Sequence, residues 1–225
     1  MIRWLLMAMV LLSPVSGVQA LESEALGEHA HEVVRRVTTR VMENINTNRD
    51  LYESDNARFY WELEDVLGPM VDFRRLTRKI MGRHYFDASK AQRQRFARAF
   101  KRSLLSSYAT GLIEFTDYEV RMLPPRKDFE HTSSNTLVDL EVITPSGRIF
   151  PITQSMYYDL SAYSWKAQNV IVNGINIGQL FNEQFTQLVD DKNGNIGAAI
   201  EQWIDDLQEQ GRELRKRAVI NGTQS

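Results

Sequence analysis

The hydrophobic period of this chain changes character in one region. Between Thr116 and Asn173 the apolar residues recur at every second position, and on either side they recur at helical spacing. Four strands are expected there: Thr116–Met122, Thr136–Thr144, Arg148–Leu160 and Tyr163–Asn173. Val138, Leu140 and Val142 oppose Asp139 and Glu141, so the sheet has one wet face. The links between strands are short. A parallel pair needs a crossover of about a dozen residues or more, so the neighbours are antiparallel. Gly174 is read as the end of the sheet.

Before the strands, four helical stretches are expected. Glu28–Asn48 carries Val33, Val34, Val37, Val41 and Ile45 on one side. Asp55-Asn56 caps a helix through Leu67 that Gly68-Pro69 closes, and Asp72 caps Phe73–Met81, which Gly82 ends. Ser89 then opens a long helix, Ala91–Leu112, with the ladder Phe96, Phe100, Leu104, Tyr108 and Leu112. After the strands come Ile177–Val189 and Ile196–Arg217. This order gives an α+β fold, mainly helical, with a four-stranded curved antiparallel sheet covered by helices.

Residues 1–20 read as a secretory signal. Arg3 supplies the positive start, Trp4–Leu12 the apolar run, Ser13, Pro14 and Gly17 the helix break, and Val18-Gln19-Ala20 the cleavage residues. That run is too short to cross ~30 Å of hydrocarbon. The expected organisation is a signal peptide (1–20), one domain (21–217) and a disordered tail (218–225), in an exported, periplasmic protein. An exported chain with no cysteine needs no oxidative folding, and it has no thiol nucleophile and no cysteine-ligated metal. With 27 basic and 29 acidic residues the formal charge is −2, which provides no general drive toward nucleic acid.

Catalytic patterns are scarce. His29 and His31 are two apart, so on a helix they do not share a face. His84 and His131 stand alone, no metal-ligand spacing occurs, and no Gly-x-Ser-x-Gly or phosphate-binding glycine loop is present. Glu62/Glu64, Asp190/Asp191 and Asp205/Asp206 sit in charged surface contexts, and Arg93–Arg102 reads as a solvated helix face or a contact with an anionic membrane surface or partner. What remains is a surplus of apolar and aromatic side chains. A curved sheet closed by helices can hold a cavity between its layers, or the same residues can fill a plain core.

Several segments resemble the MlaC, or toluene-tolerance, family of periplasmic phospholipid-binding proteins. The first is Val71-Asp72-Phe73, Arg78-Lys79-Ile80-Met81-Gly82-Arg83-His84-Tyr85, Ala88-Ser89 and Gln92-Arg93-Gln94-Arg95-Phe96, then Phe100, Leu104-Leu105 and Tyr108-Ala109. The second is Trp165-Lys166, Val170-Ile171-Val172-Asn173-Gly174-Ile175-Asn176, Phe181 and Gln184-Phe185. Asn169 stands where the family usually has Asp, Asn176 replaces a common Ser, and Asn182-Glu183 replaces a stretch that is often Tyr/Arg.

The resemblance implies a monomeric, non-enzymatic shuttle. It would carry phospholipid between an outer-membrane lipoprotein/porin complex and an inner-membrane ABC transporter complex, touching membranes transiently and maintaining outer-membrane lipid asymmetry. No cofactor, metal or nucleic acid is implied, only phospholipid as bound ligand. Exposing ~30 methylenes costs roughly 24 kcal/mol at ~0.8 each. A charge-assisted hydrogen bond contributes only ~1.5–3 kcal/mol. The ligand site is therefore expected to be an apolar cavity. Its helical wall is assigned to Phe73, Met81, Tyr85, Phe96, Phe100, Leu104 and Tyr108. Its sheet side is assigned to Val138, Leu140, Val142, Ile152, Val170 and Val172, with Ile175, Phe181 and Phe185 at the closing segment. Arg78 and Arg83 are the candidate head-group contacts. Two other readings stay open: a cone-shaped α+β enzyme with Asp139 or Glu141 turned into its pocket, and an interaction protein with a filled core.

Overall fold

The computed structural model describes the backbone of residues 16–114 and 118–222, and the side chains of 22–52, 54, 55, 57–105 and 118–210. The chain begins with α1 (Ser16–Ser54), whose helical geometry breaks at Asn48 (φ −107°, ψ 16°). The expected end at Asn48 is thus a kink, and the helix starts well before Glu28, with Gly17 inside it. Residues 1–15, most of the expected leader, lie outside the described residues.

Next come α2 (Asn56–Leu67) and α3 (Phe73–Met81). Their N-termini are capped as the sequence predicts: Asp55 accepts from the Arg58 N–H (3.1 Å) and Asp72 from the Arg75 N–H (2.9 Å). Gly82 ends α3 at φ 53°, ψ −127°, a conformation that side chains disfavour. It also leaves room for the Asn182 amide, which donates to the Lys79 and Ile80 carbonyls at 3.3 and 3.0 Å. Those carbonyls lie in the last turn of α3, where no intrahelical donor remains.

A short α4 (His84–Asp87), not foreseen, leads to α5 (Lys90–Glu114). Ser89 and Gln92 open α5 reciprocally. The Gln92 N–H donates to Ser89 Oγ (3.2 Å) and the Ser89 N–H to Gln92 Oε1 (2.7 Å), a capping box.

The sheet is a meander of five antiparallel strands: β1 (Glu119–Met122), β2 (Thr136–Ile143), β3 (Ile149–Asp159), β4 (Ser164–Val172) and β5 (Ile175–Asn176). The fifth strand corrects the expected four. Asn173 (φ 54°) and Gly174 (φ 80°) form a two-residue turn that sends the chain back beside β4, instead of ending the sheet. Thr116 and Asp117, part of the first predicted strand, lie outside the described residues.

The ladder slips between Ser155 and Met156: Gln154 faces Val170 while Met156 faces Ala167, so β4 carries one extra residue. Beside this bulge, Ala167 donates its N–H to the Met70 carbonyl (2.7 Å), and Val71 bridges to Ala167. The segment leading into α3 thereby covers a part of the β4 edge that β5 does not reach.

The chain closes with α6 (Ile177–Asp191) and α7 (Ile196–Gly222), the latter running past the expected end at Arg217 into the segment read as tail. Among the described residues, no helix is long and apolar enough to cross a membrane.

Among the described residues, the buried side chains form three groups. Met81, Phe96, Phe185, Ile200 and Trp203 join α3, α5, α6 and α7. Val34, Val138, Met156 and Trp165 join α1 to the sheet. Val41, Ile45, Phe59, Leu63 and Leu105 join α1, α2 and α5.

Candidate functional site

The three buried groups surround a space instead of merging. Between the inner face of the sheet and the helices lies a cavity of about 330 Å³, within the ~300–1,000 Å³ range of ligand pockets. α1 contributes Val37, Thr38, Val41 and Met42, and the end of α2 with the following turn contributes Leu67, Met70 and Val71. Phe73, Leu76 and Ile80 come from α3, and Phe100, Leu104 and Leu105 from α5. The sheet supplies Val120, Leu140, Val142, Ile152, Ala167, Val170 and Val172, and the start of α6 closes the space with Ile177, Gly178 and Phe181.

The sheet register explains the lining. Leu140 faces Ile152 and Ile152 faces Val172, while Gln154 faces Val170. Cross-strand partners share a face, so one apolar row crosses β2, β3 and β4. The bulge brings both Asn169 and Val170 to the wall, although strict alternation would separate them.

Of the residues assigned from sequence, Phe73, Phe100, Leu104, Leu140, Val142, Ile152, Val170, Val172 and Phe181 line the cavity. The others do not. Met81, Phe96 and Phe185 are fully buried in the group beneath α7; Phe96 and Phe185 lie 5.0 Å apart ring to ring, and Phe185 and Trp203 5.7 Å. Tyr85 packs against the same group, with Arg93 4.9 Å over its ring. Val138 faces inward but is sealed beneath α1. Ile175 is 54% exposed on β5. The Tyr108 side chain lies outside the described residues.

The physical reason is plainest for Phe96. Period tells which face of a helix is apolar, but α5 is long enough for that face to meet two different layers.

The two candidate arginines are engaged away from the wall. The Arg78 guanidinium sits 5.1 Å from the Phe86 ring centroid. Arg83 donates to His84 Nε2 (3.1 Å) and lies 3.5 Å from Asp190. Lys79 is not among the lining residues, but its stem lies beside Gly178, which is. Burial, then the charge of Arg75, holds the Lys79 ammonium below its ordinary range. Its neighbours Arg78 and Arg83 share the same basic stretch, and nothing in the sequence separates the three.

Three polar side chains reach the lining: Thr38, Gln154 and Asn169. The Gln154 Oε1 is buried without a hydrogen-bond partner. Asn169 is fully engaged. Its Oδ1 accepts from the Gly178 N–H (3.2 Å), and its Nδ2 donates to Asn176 Oδ1 (3.0 Å). Asn176 in turn caps α6 by accepting from the Gln179 N–H (3.0 Å). Two of the sequence departures noted above thus form one hydrogen-bonded unit, and they keep a formal charge away from a position only 6% exposed.

The acid required by the enzymatic alternative is on the other face. Asp139 accepts two hydrogen bonds from Arg126 (2.5 and 2.7 Å) and one from the Thr153 hydroxyl (2.5 Å). Burial raises its pKa, but these hydrogen bonds outweigh it and hold the carboxyl below the ordinary range. A depressed native pKa stabilises the fold above the unfolded value of about 3.9, and the gain is lost as pH falls through the native value. Asp139→Asn should therefore lower stability near neutral pH by about 1.5–3 kcal/mol. It should also flatten the acid limb of the urea midpoint measured against pH. A variant with an unchanged acid limb would show that the pair contributes nothing.

Among the described residues, no group of three or more His, Cys, Asp or Glu is arranged to hold a metal. His29 Nδ1 accepts from the Trp165 indole (3.3 Å), and His31 Nε2 lies 2.6 Å from the Leu123 carbonyl.

Residues 35–208 match the family model for the MlaC protein. A toluene tolerance protein of Pseudomonas putida is 32% identical over 178 residues, spanning 79% of this chain and 80% of that protein. A phospholipid-binding protein from Ralstonia solanacearum, solved in complex with a phospholipid, shares the fold. The TM-score is 0.68 at 21% identity, covering 83% of this chain and 98% of that one.

Proposed function

The chain belongs to the MlaC family, and on that premise we propose that it is a non-catalytic phospholipid carrier of the periplasm. The supporting observation is the cavity between sheet and helices, lined almost wholly by aliphatic and aromatic side chains. Acyl chains enter such a space because each buried methylene contributes ~0.8 kcal/mol. The head group stays in water. Lys79 is suited to meet its phosphate: its stem lies beside the lining residue Gly178, it is crowded by Arg75, and an anion would relieve that crowding. The signal-like residues 1–20 fit export to the periplasm. There the protein shuttles lipid between an inner-membrane ABC transporter complex and an outer-membrane lipoprotein/porin complex, as family membership implies.

The test is native mass spectrometry of protein purified from the periplasm, with organic extraction of what it carries. The expected result is an adduct of phospholipid mass, recovered as phospholipid in the extract. A ligand-free mass that stays unchanged after incubation with phospholipid vesicles would overturn the carrier reading.

A further inference from the structure

A second concave feature lies on the far side of Phe181. It is a groove of about 520 Å³ between α6 and α7, floored by Phe181, Leu188 and Trp203 and edged by Glu183, Asp191 and Asp206. Two observations set it apart from an ordinary helix junction. First, the three carboxylates have no cationic partner among the described residues. Each accepts only from a glutamine one turn away on its own helix: Gln179, Gln187 and Gln202. Second, Trp203 is 4% exposed, and its indole N–H is buried with no acceptor. Buried indole donors usually find a partner.

We propose that this groove is the docking site for a cationic amphipathic helix of a partner protein. The apolar floor takes the non-polar face of such a helix, and the three carboxylates, which no described cation neutralises, select Lys and Arg on its flanks. From Phe181 to Asp191 the groove runs about 15 Å, the length of roughly three helical turns. An anionic membrane surface is repelled by the same carboxylates, which favours a protein occupant over a lipid one. Phe181 lines both the groove and the lipid cavity. A docked helix therefore bears on a side chain that also contacts the cargo. That last step rests on the carrier reading, whereas docking itself does not.

The probe is a synthetic three-turn amphipathic peptide of Leu and Lys, with a Leu/Glu counterpart, titrated into the whole protein and followed by fluorescence anisotropy. The Lys peptide is expected to bind saturably, more weakly as salt rises, and the Glu peptide not to bind. The triple variant Glu183→Gln, Asp191→Asn, Asp206→Asn should weaken binding by about tenfold or more. It should leave lipid occupancy unchanged. Equal binding by the triple variant, or no saturable binding to the wild type, would overturn the proposal. Self-association that the triple variant abolishes would assign the groove to a second copy, also against the proposal. Lipid occupancy read by native mass spectrometry on the same samples reports separately. Its absence with peptide binding intact counts against the carrier reading and leaves the groove standing.

Discussion

Replacing Leu104 with Asp is expected to empty the cavity of lipid. Leu104 lies on α5, four residues from Phe100, and both side chains line the cavity with Phe73 and Phe181. The substitution removes an apolar surface whose burial contributes about 1.5–3 kcal/mol. It replaces it with a carboxylate whose desolvation costs several kcal/mol more in an apolar site. Even partial relief, by protonation or by admitted water, leaves a penalty of about 3 kcal/mol or more, a hundredfold or greater loss of retention. Native mass spectrometry of the purified variant provides the check, with circular dichroism to establish that it is folded. A folded Leu104→Asp protein with full lipid occupancy would remove Leu104 from the wall. Leu104→Ala separates folding from binding: it adds no charge, so it should stay folded and keep measurable lipid.

Phe185→Ala should do the reverse. The motif match places Phe185 beside the ligand, but the structure puts it at the centre of an aromatic cluster with Phe96 and Trp203, with no surface exposed. Truncating a buried phenylalanine typically costs ~3–5 kcal/mol, through lost transfer energy and the void left behind. That is a large share of the ~5–15 kcal/mol that holds a domain folded. The urea midpoint should fall accordingly, while the folded fraction keeps its lipid stoichiometry. Lost lipid at unchanged stability would return Phe185 to the ligand site.

The two substitutions divide a single sequence feature. Phe96, Phe100 and Leu104 lie on one apolar ladder of α5, and their spacing treats them alike. Phe96 packs only within the group toward α6 and α7, whereas Phe100 and Leu104 touch that same group and also line the cavity. The fork lies in what stands opposite, and no local pattern carries that. The same holds for Val138 and Leu140 on β2: both are buried on the inner face in one group, yet only Leu140 lines the cavity. Gln154 was legible as an inward position once β2 and β3 were in register, but an inward glutamine breaks the apolar alternation and so escapes a search for apolar lining.

The β4 bulge is a further example. A one-residue insertion in a ladder has no signature when the residues on both sides are apolar or amide. Here it places Asn169 and Val170 together on the wall and lets Asn169 reach Gly178 at the start of α6. The fifth strand was closer to readable, since Asn-Gly between apolar runs is a hairpin signal.

Local chemistry was sufficient wherever a structure depends on residues a few positions apart. The caps at Asp55, Asp72, Ser89 and Asn176, the end of α3 at Gly82, and the apolar faces of helices and strands are settled by hydrogen bonds and periodicities within one or two turns. Those features are enough for an α+β chain with an antiparallel sheet. The tertiary structure alone decided which part of each apolar face is packed shut and which part is left facing a space. It also decided which cation of the 74–83 stretch lies beside Gly178, and that α6 and α7 leave an acidic groove between them. A cavity exists only where several elements fail to meet, and that depends on all of their positions together.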